Sequence, residues 1–288
     1  MTAPVFIFTP ETLEPAGAAD IAAPGDGLIL NGPEAHHAVS VRRLRPGERV
    51  DLVDGRGLRL VCEVTDAEGG RRGRLGVRVV HRVQEPDARL KLVLVQALAK
   101  SGRDEQAVET ATEVGADQVV PWWAERCVSV WRGVKATRGR QRWQAAAREA
   151  AKQSRRARVP EIAELLTTAE LTDWVRQVCE AGGTALVLHE EATRPIGDAA
   201  LPETRVGVAA SEAAGATEGD SREGAGGVGE APVLAVVVGP EGGIGPAEVT
   251  ALEDAGATTV RLGPYVLRTA SAGPVALAVL AQRAGLWG

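Results

Sequence analysis

The chain reads as α/β in two parts: a small β-barrel with one helix over residues 1–85, then an α/β layer on a parallel sheet over 86–288. Three observations predict it. Short apolar or alternating runs between Gly, Pro and Asp breaks fill the first 85 residues. From Leu90 apolar runs alternate with helical stretches, the grammar of a parallel sheet covered by helices. Pro86-Asp87 punctuates the junction.

In the first part, strands are predicted at Val5–Phe8, Gly27–Leu30, Arg49–Val53, Leu58–Thr65 and Leu75–His81. A helix is predicted over Pro33–Arg43, its proline suited to a first helical position. In the second part, Leu90–Leu98 is a continuous apolar strand, a helix runs from Arg103 until Gly115 ends it, and Val119–Pro121 is a short strand. Helices follow at Trp143–Gln153 and Thr168–Cys179, then strands at Ala185–His189 and Val206–Ala209. Val233–Val238 is apolar without alternation, as a strand buried on both faces is. Pro246–Asp254 is helical, Thr258–Leu262 a strand and Pro274–Ala284 a last helix. Its PVALAVL stretch is apolar on most sides and must lie against its own sheet or a second subunit.

Ser211–Ala231, rich in Gly, Ala and acid, predicts a disordered surface loop. Its Gly224, Gly226 and Gly229 spell GxGxxG, but a dinucleotide turn needs a strand before it and a helix after it. Here a flexible segment precedes and a strand follows, so the match is one of composition.

With 44% apolar and 25% charged residues, the composition excludes a disordered chain. Cys62, Cys127 and Cys179 include no CxxC pair, which excludes a disulfide scaffold and predicts buried or idle thiols in a reducing compartment. The histidines and cysteines lack ligand spacing, so no metal is expected. The opening MTAPVFIFTPETLEP has no basic stretch before an apolar core, and no apolar run reaches the roughly 18 residues of a membrane helix. A soluble cytoplasmic protein is expected, with no membrane partner. The net charge of −5 hides a split, +6 over residues 1–160 and −11 over 161–288. Within 126–158 stand eleven basic residues and one acid, Glu149. Such a field attracts polyanions unless it is only a solvated helix face.

Two late turns carry chemistry. VVVGPEGGIGPAE (236–248) runs a buried strand into Gly239-Pro240-Glu241-Gly242-Gly243 ahead of a helix. Glycines at the carboxyl end of a parallel strand let backbone groups approach a ligand, in the crevice where open α/β sheets bind theirs. Glu241 offers a carboxylate there. The second turn, Leu262-Gly263-Pro264-Tyr265-Val266-Leu267-Arg268-Thr269, again leaves a strand and places Arg268 before the last helix. Read alone, Arg268 is equally a structural ion-pair partner.

In this order the two turns resemble the SPOUT methyltransferases, and more narrowly the bacterial 16S uracil-1498 N3-methyltransferases of small-subunit ribosomal RNA. Other blocks follow in register: His37-Ala38-Val39-Ser40-Val41-Arg42-Arg43 with Gly47, Ala99-Lys100 through Glu105, Ala111-Thr112-Glu113-Val114-Gly115, Glu125-Arg126-Cys127, and Gln153-Ser154-Arg155-Arg156 before Val159-Pro160. The resemblance implies a PUA-like barrel that holds RNA, a trefoil-knotted α/β domain, S-adenosylmethionine bound by the knotted loops, and a homodimer. For the cofactor it implies Leu188, His189, Gly239, Pro240, Glu241, Gly242, Gly243, Leu262, Gly263, Val266, Leu267 and Arg268. For RNA it implies His37, Arg42, Arg43, Lys100, Arg103, Gln153, Arg155 and Arg156. Catalysis is expected of Arg268, Glu241 and Arg126, with Arg268, assisted by Arg126 or Arg156, stabilising charge that spreads onto the uracil oxygens as N3 loses its proton. His189 is expected to wall the cofactor pocket rather than act as base.

Three departures stand out: Ala270-Ser271 where the family shows Glu-Thr, Tyr265 where Arg is common, and Thr110 in place of a frequent Lys. Ala270-Ser271 alone leans toward one rival, a non-catalytic RNA-binding or assembly factor with a decayed cofactor site. The other rival, another SPOUT activity on RNA, is opposed by the barrel ahead of the knot domain and by the Glu125-Arg126-Cys127 and Gln153-Ser154 blocks.

Overall fold

A computed structural model describes residues 3–69, 73–203 and 231–287. The amino-terminal elements are β1 (Val5–Ile7), β2 (Leu13–Glu14), α1 (Ala18–Ile21), β3 (Gly27–Asn31), α2 (Gly32–His36), β4 (Arg49–Val53), β5 (Leu58–Glu68) and β6 (Arg74–Gln84). They form one curled half-barrel in the order β1-β4-β5-β6-β3-β2, antiparallel except for β1 with β4. Leu58, Leu60, Cys62 and Val64 alternate inward along β5, as the twofold repeat of a strand requires. Register shifts at Val61/Cys62 and Val64/Asp66 bend the long β5–β6 ribbon. The predicted helix over 33–43 is shorter and broken: α2 ends at His36, and a π-turn over His37–Val41 completes it.

The second sheet takes β7 (Lys91–Ala97), α3 (Arg103–Glu113), β8 (Gln118–Trp123), α4 (Val134–Gln153), β9 (Glu161–Ile162), β10 (Leu166–Thr167) and α5 (Thr168–Glu180). It continues with β11 (Thr184–Leu188), β12 (Val233–Val238), α6 (Pro246–Asp254), β13 (Thr258–Val260) and α7 (Thr269–Arg283). Its order is β10-β8-β7-β12-β11-β13, with β9 also beside β8, and every pairing is parallel. Strand β12 shows why its sequence lacks alternation. Leu234, Val236 and Val238 face one core with Leu94, Trp143 and Leu277, while Ala235 and Val237 face another with Leu171 and Leu252. From edge strand β13 the chain returns across β11 to lay α7 on β12 and β7, the knotted connection that the resemblance implies.

Two helices are longer than predicted. α4 starts at Val134 rather than Trp143; its first half is mostly exposed, so no apolar face marks it, and Gly139 reads as a breaker although it makes room for the Trp131 ring. Trp131 meets Trp143 edge-on, centroids 5.1 Å apart. α7 starts at Thr269, with Pro274 inside it rather than at its head. The predicted strand Val206–Ala209, and the predicted loop 211–231 with its GxGxxG but for Ala231, lie outside the described residues.

The end of α4 and the segment that follows it are built into the half-barrel. Gly57 N donates to Ala157 O and Val159 N to Gly55 O, at 3.2 and 2.9 Å. Arg148 Nη2 donates to Ile7 O at 2.9 Å, and Lys152 Nζ, on a side chain only 5% exposed, binds Glu34 Oε1 at 3.1 Å. Arg158 Nη2 reaches Glu85 O and Asp87 Oδ1, while Val5, Ile7, Val53 and Ala157 close a small apolar cluster.

Candidate active site at the carboxyl end of the parallel sheet

Strands β11, β12 and β13 are neighbours, so the turns that leave them meet. Between them lies a cavity of about 720 Å³, within the size range of small-molecule sites. All twelve residues expected at the cofactor line it: Leu188, His189, Gly239, Pro240, Glu241, Gly242, Gly243, Leu262, Gly263, Val266, Leu267 and Arg268. Arg103, Arg126, Arg261, Glu190, Glu191 and Tyr265 complete the charged and aromatic part of the wall.

The glycines have local reasons. A Cβ on Gly239 would stand 2.5 Å from Ile244 Cγ1, so the strand can turn out of the sheet only without a side chain there. Gly243 has φ 76°, the left-handed region that favours glycine. The turn is then held from outside. Arg126 Nη1 donates to Gly242 O at 3.1 Å, and Glu241 Oε1 accepts from Lys100 N at 3.1 Å and from Arg103 Nη1 at 3.4 Å. Two of the three expected catalytic groups therefore brace the loop. Arg268 differs: it is exposed, lines the cavity and makes no side-chain hydrogen bond or ion pair with any described residue. His189 Nδ1 accepts from Glu191 N at 3.3 Å, which orients the ring at the cavity wall.

The residues expected at RNA divide. Arg42, Arg43, Lys100, Gln153 and Arg155 are exposed. His37 is half-buried with its ring edge-on to Phe6, and Arg103 is held by Glu241. Arg156 lies away from the cavity and is a structural clamp: Nη1 donates to Thr112 O, in the last turn of α3, and to Ala116 O just past it, both at 2.7 Å. Burial lowers its pKa, opposed by the nearby Asp117 carboxylate. Two groups central to the site escape sequence reasoning. Buried Glu248 accepts from Glu125 N, Thr168 Oγ1 and Gly245 N, tying the starts of α5 and α6 to the loop that carries Arg126. Gln96, wholly buried in β7, bonds Thr269 Oγ1, which bonds Gly239 O. A carboxamide inside an apolar run was the only signal for it.

The departures at 110, 270 and 271 fall outside the cavity lining, while Tyr265 lies within it. Ala270 is buried on the inner face of α7. Among the described residues no group of His, Cys, Asp and Glu could hold a metal ion, and no helix is long and apolar enough to cross a membrane.

Residues 86–281 match the family described as an RNA methyltransferase domain, and residues 30–72 match an RNA methyltransferase PUA domain. The ribosomal RNA small subunit methyltransferase E of Mycobacterium bovis is 42% identical over 281 residues, 98% of this chain and 93% of that one. The protein of that name from Bacillus subtilis is 26% identical over 257 residues, 89% of this chain and 90% of its own. The crystal structure of a ribosomal RNA small subunit methyltransferase E from Neisseria gonorrhoeae, bound to S-adenosyl methionine, shares the fold with a TM-score of 0.73 at 23% identity, covering 100% of this chain and 99% of that one. From the half-barrel through the parallel sheet to the paired turns at its carboxyl end, the chain belongs to the family of the ribosomal RNA small subunit methyltransferases E.

Proposed function

We propose that the chain methylates N3 of a uridine in 16S ribosomal RNA of the small ribosomal subunit, with S-adenosylmethionine as methyl donor. The observation that carries this reading is the single cavity shared by the turns after β12 and β13. Its lining suits the donor. Glycine backbone and the apolar Leu188, Val238, Ile244, Leu262 and Leu267 offer a slot for an adenine, and carboxylates at 190 and 191 with guanidiniums at 261 and 268 face a zwitterion of both signs. When bound, the donor supplies an activated methyl group.

The chain's own residues then orient and stabilise. Arg126 and Glu241 hold the glycine turn from behind, so that the slot keeps its shape. The unpaired Arg268 guanidinium stabilises the charge that grows on the uracil oxygens as N3 gives up its proton. His189 walls the pocket. Arg42, Arg43, Lys100 and Arg155 give the RNA backbone exposed positive charge, and the half-barrel, residues 1–85, presents the first two of these. Tyr265 and Val266, 83% and 78% exposed beside the cavity, are apolar surface for a second subunit, so the working form is a homodimer. We place it in the cytoplasm with the ribosome. The reading as a decayed binding factor loses its main support, because positions 270 and 271 do not line the cavity. Mass spectrometry of ribosomal RNA from a deletion strain tests the proposal. Loss of one 3-methyluridine, restored by the wild-type chain, is expected, and an unchanged RNA refutes it.

A further inference from the structure

Gln96 is the one carboxamide buried within β7, and its surroundings make no use of it for packing alone. It pairs in register with Val238 on one side and Pro121 on the other, at the carboxyl end of the central strand. Burying an amide is costly unless it is hydrogen-bonded. Nε2 donates to Thr269 Oγ1 at 2.9 Å and to Ala97 O at 3.1 Å, and Thr269 Oγ1 donates in turn to Gly239 O at 2.9 Å. A threonine hydroxyl has one proton. Because that proton goes to Gly239 O, the hydroxyl must accept from Gln96, which fixes the amide orientation. Oε1 is then left buried with no partner among the described residues. A leucine or methionine would fill the volume without an orphaned acceptor, so the amide's contribution lies in what its nitrogen holds.

What it holds are the two halves of the cavity. Gly239 begins the turn after β12, and Thr269 is the first residue of α7, directly after Arg268. We propose that Gln96 is a positioning residue. Through Thr269 it locks the glycine turn and the base of Arg268 to the central strand, and so sets the cavity in its donor-binding shape before the donor arrives. This rests on the reading that the cavity takes S-adenosylmethionine.

The test is calorimetric titration of S-adenosylmethionine into the wild type, Gln96→Leu, Thr269→Val, the double variant and Thr269→Ser, alongside melting of each apo protein. Gln96→Leu and Thr269→Val should each weaken binding by about tenfold, the worth of the Gln96–Thr269 hydrogen bond that both remove. The double variant should be no weaker than either, and Thr269→Ser, which keeps the hydroxyl, should bind as the wild type does. Apo Gln96→Leu should melt no lower than wild type, since it loses an unpaired acceptor. Should Gln96→Leu fail to fold, the contrast of Ser with Val at position 269 decides. Unchanged affinity in the folded variants, or losses that add in the double variant, overturns the proposal while leaving the cavity's ligand intact. A wild type that binds no S-adenosylmethionine overturns both.

Discussion

Two basic regions of the molecule use their arginines in opposite ways. Across 126–158, seven of the eleven cationic side chains are hydrogen-bonded within the fold: Arg126, Arg140, Arg142, Arg148, Lys152, Arg156 and Arg158. At the rim of the cavity, Arg261 and Arg268 make no side-chain hydrogen bond or ion pair with a described residue. The dense block is chiefly an assembly device that fastens α4 to the half-barrel and to α3. The sparse pair is what a ligand meets. Charge density in a sequence therefore measures how much charge there is, and not how much of it is free.

The largest effect that sharpens this contrast is at Arg268. Arg268→Ala should lower kcat about 10²–10³-fold, the cost of removing one preorganised donor, and should also weaken S-adenosylmethionine binding, because the same guanidinium faces the donor. Single-turnover methylation of small subunits measures it, and full turnover would mean that the free guanidinium has no part in the chemistry. Next is Glu248, whose carboxylate serves three donors. Glu248→Ala should cost about 4 kcal/mol, a melting temperature lower by about 10 °C, because buried donors lose their acceptor.

The neighbours Arg155 and Arg156 then put the contrast on adjacent residues. Arg156→Ala should destabilise by about 2 kcal/mol with RNA affinity unchanged in the folded fraction. Arg155→Ala should leave stability alone, weaken RNA binding evenly across sequences and reduce the salt slope by about 1. Equal behaviour of the two would break the distinction between clamping and free cations. Smallest is Arg155→Gly. Arg155 sits at φ 59° just past the end of α4, so glycine there should add about 1 kcal/mol of stability in a denaturant titration while still losing the RNA contact.

Residue types that dictate backbone were legible in advance. Gly239 and Gly243 announce a tight turn whatever surrounds them, and the apolar runs of β7 and β12 announce buried parallel strands. What stayed hidden depends on partners remote in sequence. Glu248 meets Glu125 and Thr168, Gln96 meets Thr269, and Arg156 meets Thr112 and Ala116; none of these pairings leaves a periodic mark. The early start of α4 escaped for a related reason. A solvated helix half shows no apolar face, and Gly139 suits the Trp131 ring rather than a break. Pro274 misled in the same way, since a proline is read as a helix start unless the preceding turn is known.

The turns after β12 and β13 act as one pocket for a single ligand. Hydrogen–deuterium exchange with and without S-adenosylmethionine tests it most directly. Joint protection of residues 239–245 and 261–268 is expected, with the half-barrel unaffected. Protection confined to one of the two turns, or appearing only elsewhere in the chain, would contradict it.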